Sequence, residues 1–105
     1  MKFMLRSSLL SMLALANFGW AAVPGHWTGY ISDAKCGAKG IGNVACARKC
    51  IKAGAAYAFI ADHSHAVLVI KNPRRFARDL GRHVRVSGIV HGHSIEITRV
   101  RRLRS

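Results

Sequence analysis

Five segments of the chain alternate apolar and polar residues with a period of two, and two further segments carry helix-boundary signals. Their order is strand, helix, strand, strand, short helix, strand, strand. That order predicts a mostly β domain: a small five-stranded OB-like Greek-key barrel, with a cysteine-bearing helix inserted after strand 1 and a short helix between strands 3 and 4. A small open sheet covered by the cysteine helix has the same element order, so the order leaves closure open.

The first strand is "HWTGYISD" (His26 to Asp33), with Trp27 and Tyr30 as packing anchors. Turns at Gly37, Gly40 and Gly42 lead to a helix that Asn43 caps and Gly54 stops. "AYAFIAD" (56–62) and "HAVLVIK" (65–71) read as a hairpin around Asp62-His63-Ser64. In "NPRRFARDLG", Pro73 stands at a first helical position and Gly81 just past the end. "HVRVSGIV" (83–90) and "HSIEITRV" (93–100) form a last hairpin through His91-Gly92, with Val84 and Val86, then Ile95 and Ile97, on the inward face.

The opening residues have the three-part build of a secretory leader: Lys2 and Arg6, an uncharged apolar run from Ser7 to Trp20, then small residues. The run is too short for a membrane span of about 20 residues. Gly19 and Ala21 form the small-x-small pair for cleavage after Ala21. The expectation is therefore a signal peptide over 1–21 and one domain over 22–105 with a basic C-terminal tail. The product is exported, to the periplasm or the extracellular space. So small a domain buries a modest share of its surface and benefits from a staple, and an oxidising compartment makes a disulfide available.

The three cysteines lie in "CGAKGIGNVACARKC", from Cys36 to Cys50. On a helix from Val44 to Ala53, Val44, Ala47 and Ile51 share a core-facing stripe, and Arg48, Lys49 and Lys52 a solvated one. Cys46 and Cys50, at i and i+4, share a third. Their Cβ atoms, about 5–6 Å apart, are too far for a disulfide, which needs about 3.5–4.5 Å. Cys36, on a glycine-rich loop, reaches either. The expected arrangement is a disulfide from Cys36 to Cys46 or Cys50, stabilising by about 3 kcal/mol in the chain-entropy model, with one thiol left over. If that thiol is Cys46, the helix N-terminus favours its thiolate. The alternative is a zinc or copper site of Cys36, Cys46, Cys50 and a histidine such as His63; otherwise no cofactor is expected. Asp33, Asp62, Asp79 and Glu96 are too scattered for a paired-carboxylate site, and no C-x-x-C is present, so an enzyme is not expected.

The chain holds 17 Lys+Arg against 4 Asp+Glu, a formal charge of +13, which loss of Lys2 and Arg6 lowers by two. Such a surface attracts polyanions. Arg74, Arg75, Arg78, Arg82 and Arg85, with Arg99, Arg101, Arg102 and Arg104, are the candidate anion-binding residues, adjoining on a barrel to form one continuous patch. The aromatics are few and suit the core, so no specific nucleic-acid target is expected. The expected partner is an anionic polymer or an envelope lipid surface. The functional expectation is a small binding or structural module contacting an anionic partner through arginines. Its alternative is an envelope thiol protein using the cysteine cluster for metal or redox work.

Three stretches, "TGYISDAKCG", "CARKCIKAGAAYAFI" and "LGRHVRVSGIVHGHSIEITRV", resemble a family of small exported bacterial proteins classed as a domain of unknown function. The resemblance runs from about His26 to Val100. It rests on Gly29, Asp33, Cys36 and Gly37, on Cys46, Cys50, Ile51 and Gly54, and on Gly81, Val84, Val86 and Gly88. It implies an OB-like fold and carries no activity with it. Family members often have a histidine in the loop after the first cysteine, where this chain has Gly40.

Overall fold

A computed structural model describes residues 22–104; the expected leader, 1–21, lies outside the described residues. The chain forms β1 (Val23–Asp33), a 3-10 segment (Gly37–Gly40), α1 (Val44–Lys52), β2 (Tyr57–Ala61), β3 (Val67–Ile70), a second 3-10 segment (Pro73–Asp79), β4 (His83–His91) and β5 (Ser94–Arg102). The strands close into a barrel in the order β1-β2-β3-β5-β4. The open-sheet alternative is thereby excluded, and the barrel is OB-like as its element order predicts.

Closure depends on β1 serving two neighbours. Val23 to Tyr30 pair with β4, and Gly29 to Asp33 pair with β2, both antiparallel. The strand must bend where the partners change over, and Gly29 sits there. A Cβ at that position would collide with the Ile60 carbonyl oxygen and come within 2.8 Å of the Phe59 ring. Only glycine lets the backbones approach so closely.

The seam on the far side is the parallel pairing of β3 with β5, over Val69↔Ser94 and Ile70↔Ile95. It continues past the end of β3 through a side chain. The Asn72 amide donates to the Ile97 carbonyl at 2.7 Å and accepts from the Ile97 N–H at 3.1 Å, as a peptide group would.

Ile31, Phe59, Ile70, Phe76, Val84, Val86, Ile95 and Ile97 fill the interior, with Trp27, Tyr57 and Leu80 packed against them. The alternation in β4 and β5 delivers four of the eight. Phe76, from the second 3-10 segment, is 2% exposed; Pro73 starts that segment as expected, with its fixed φ and missing N–H.

Three strand boundaries differ from the sequence expectation by two residues or more. β1 begins at Val23 rather than His26, because pairing with β4 carries the strand back through Pro24, which a strand tolerates near its start. β3 begins at Val67 rather than residue 65, because His63 and His65 both take positive φ, 64° and 58°, and lengthen the turn. β5 runs on to Arg102, so Arg99, Arg101 and Arg102 belong to the barrel wall. On α1, Ala47 is buried, but Val44, expected in the core-facing stripe, is 36% exposed and lies over Gly81 at the rim.

Candidate functional site: a three-thiol centre and the arginine surface

The cysteine centre is built by the end of β1 and the first two turns of α1. Asp33, the last residue of β1, is fully buried, and its Oδ2 accepts from the backbone N–H groups of Lys35 (3.0 Å) and Cys36 (2.9 Å). This folds the loop sharply and starts the first 3-10 segment at Cys36, whose carbonyl accepts from Lys39 N–H at 3.1 Å. On the other side, the Asn43 Oδ1 accepts from the Cys46 N–H at 3.1 Å, the N-cap expected of it. One helical turn separates Cys46 from Cys50, so both present sulfur to the loop.

The outcome differs from the expected staple of Cys36 with Cys46 or Cys50. All three cysteines are free thiols. The Cys36 Sγ lies 3.1 Å from that of Cys46 and 3.5 Å from that of Cys50, whereas a disulfide is about 2.05 Å long. Cys36 sits across both candidate partners, at bonding distance from neither. All three sulfur atoms lie within 4.8 Å of one another, and each cysteine is half-buried. His63, the histidine considered as a fourth ligand, is exposed in the β2–β3 turn and is not part of this group.

Hydrogen bonds that the Cys36 thiol makes with the Cys46 and Cys50 sulfurs push it well above the ordinary thiol range; burial and the nearby Asp33 carboxylate add to the shift. Each of these favours the neutral form. Beneath the centre, the Ser32 hydroxyl and the Asp33 Oδ1 are buried without a hydrogen-bond partner among the described residues. Gly40 closes this space. A Cβ there would stand 2.5 Å from Ser32 Oγ, 3.2 Å from Cys36 Cβ and 3.7 Å from Asp33 Oδ1. Gly40 thus faces the centre, with no room for a side chain in this chain's packing.

The candidate arginines are distributed over several elements of the barrel. Arg85, Arg99 and Arg101, with Ser87, line an open groove of about 350 Å³ on the outer face of β4 and β5. Arg48, Arg78 and Arg82, with Val44, Leu80 and Gly81, line a second cleft beside α1. Arg102 is engaged elsewhere, its Nε donating to Asp79 Oδ1 at 2.7 Å. Arg75 stacks over the Phe76 ring at 5.8 Å, while Arg74 and Arg104 are exposed. Arg48 was not among the expected anion-binding residues; its place on the solvated stripe of α1, at the edge facing Arg82, was the available signal.

Asp62 caps the opposite edge of β1. Its Oδ2 meets His83 Nε2 at 2.8 Å, and His83 stacks on Tyr30 with ring centroids 4.5 Å apart. Burial alone would raise the Asp62 carboxyl, but hydrogen bonds from His83 and Thr28 outweigh it and hold the group below its ordinary value. Comparison with protein-family profiles, with curated proteins and with solved structures finds no match to the chain.

Proposed function

We propose that this is a small exported binding protein whose three-cysteine centre holds one soft or borderline metal ion, copper(I) or zinc, through Cys36, Cys46 and Cys50. The observation that carries this reading is the convergence of three unbonded sulfur atoms from two separate elements. A metal–sulfur bond of about 2.3 Å places tetrahedrally arranged sulfurs about 3.8 Å apart. Separations of 3.1 and 3.5 Å lie just short of that value, and all three pairs fall inside 4.8 Å. Loading needs only small rotations of side chains whose backbones are already fixed by Asp33 and Asn43. Three thiolates satisfy copper(I) by themselves and leave zinc an open position. Membership of the resembling family and a periplasmic or extracellular location belong to the same reading.

Metal coordination takes the thiolate form, so binding must expel protons from the thiols that become ligands. Reduced, purified protein titrated with zinc or copper(I) is expected to take up one ion per chain and to release protons as it does so. At a free-ion level of 100 times the dissociation constant, the bound form gains about 2.7 kcal/mol. Cys36→Ser removes the ligand that joins loop to helix, and its affinity should fall at least tenfold. Absence of stoichiometric uptake together with an unchanged melting temperature ends the proposal.

A further inference from the structure

Arg85 and Arg101 are directly opposed across β4 and β5, and Ser87 is opposed to Arg99 one row further on. Like charges facing each other in a ladder destabilise it, so such a pair normally has a carboxylate nearby. Here none is available. Asp33 holds the loop backbone, Asp62 meets His83, Asp79 takes Arg102, and Glu96, opposite Ile89 two rows from Arg99, neither lines the groove nor forms an ion pair among the described residues. The third strand of the face extends both rows with polar groups, Thr28 opposite Arg85 and His26 opposite Ser87.

From this arrangement we infer that the groove on the outer face of β1, β4 and β5 is a docking surface for inorganic polyphosphate. Three features select this occupant. The guanidinium fork matches the tetrahedral oxyanion with two parallel donors, which an ammonium does not. Arg99 and Arg101 are two residues apart on one strand, about 6.8 Å along it, and Arg85 faces Arg101 across the ladder, so the donors run as a track for a charged chain. Among the described residues, the groove lining has no apolar or aromatic side chain. Single-stranded nucleic acid calls for rings on which bases stack. His26 is the exposed ring beside the groove, and the Tyr30 ring further along β1 is covered by His83. Phosphates joined directly to one another present charge with no base, sugar ring or acyl chain to accommodate.

The test is titration of the whole chain, in chelator-containing buffer, with long-chain polyphosphate, orthophosphate, heparin and an oligothymidylate across a salt series. Polyphosphate is expected to bind tightest, with orthophosphate at least a hundredfold weaker. Replacing Arg85, Arg99 and Arg101 together by Ala should reduce the slope of log affinity against log salt by about 2, at roughly 0.7 per arginine. A second triple variant, Arg74→Ala with Arg75→Ala and Arg104→Ala, loses the same charge and should keep most of the binding. Replacing the groove arginines by Lys retains charge but not the fork, and should cost several-fold. Three results overturn the inference: equal loss in both triple variants, no loss with Lys, or heparin or the oligonucleotide binding as tightly as polyphosphate. The Cys36→Ser chain should bind polyphosphate normally, which separates this surface from the thiol centre.

Discussion

Opposed arginines on β4 and β5 make the barrel less stable than it need be, and Arg101→Glu should reverse that. Two unit charges about 6 Å apart in water repel by about 0.7 kcal/mol. At 10 mM salt the Debye length of about 30 Å leaves most of this intact, whereas at 1 M, with a Debye length of about 3 Å, roughly a tenth survives. Changing the sign at residue 101 converts repulsion from Arg85 into attraction of similar size. The net gain is about 1 kcal/mol at low salt, within the range known for cross-strand pairs. For a domain of this size that corresponds to a rise of about 4–8 °C in melting temperature. Arg101→Gln, which only removes the repulsion, should gain about half as much. The assay is thermal unfolding followed by circular dichroism at 10 mM and 1 M sodium chloride. A gain as large at high salt as at low salt, or a loss in both, refutes the electrostatic argument.

Two other sites give measurable expectations. Gly40→Ala drives a methyl group against Ser32 Oγ and the Cys36 side chain, an overpacking that costs roughly 1–3 kcal/mol; it should lower the melting temperature and displace Cys36 enough to impair metal uptake, and unchanged values of both would contradict the packing described. Asp62 has a carboxyl below its ordinary value in the fold, so its contribution is present above about pH 3.8 and is lost as pH falls through the lower folded value. The melting temperature should therefore drop on acidification below about pH 4. His83→Ala should flatten that part of the profile, and an unaltered acid limb counts against the pair.

Much of the fold was legible because β4 and β5 alternate strictly, Asn43 and Gly54 bracket α1, and Pro73 and Gly81 bracket the second 3-10 segment. Each is a local signal whose meaning does not depend on the rest of the chain. Register is different, since it is set between strands. The pairing of Arg85 with Arg101, and the shift between Ser87 and Gly88 that precedes it, decide which arginines share a groove. Neither can be read from one strand alone, so which arginines share a cleft was not legible in the sequence. At the thiol centre, the i, i+4 spacing of Cys46 and Cys50 correctly makes them neighbours. The position of Cys36 follows from the Asp33 carboxylate folding the loop, a tertiary detail that the cysteine spacing does not contain.

The Asn72 amide has a consequence for how the barrel comes apart. The other junctions between strands rest on three or more backbone pairs, but β3 and β5 meet over only two, followed by the Lys71 N–H on the Ile95 carbonyl and then by the Asn72 side chain. A closed barrel has no edges only while that latch holds. When it lets go, the wall becomes an ordinary curved sheet with β3 and β5 as its free margins, while β1 still ties β2 to β4. The molecule thus has a fixed place to open first, and it lies on the seam between β3 and β5, away from the β1–β4–β5 face that carries the arginine groove.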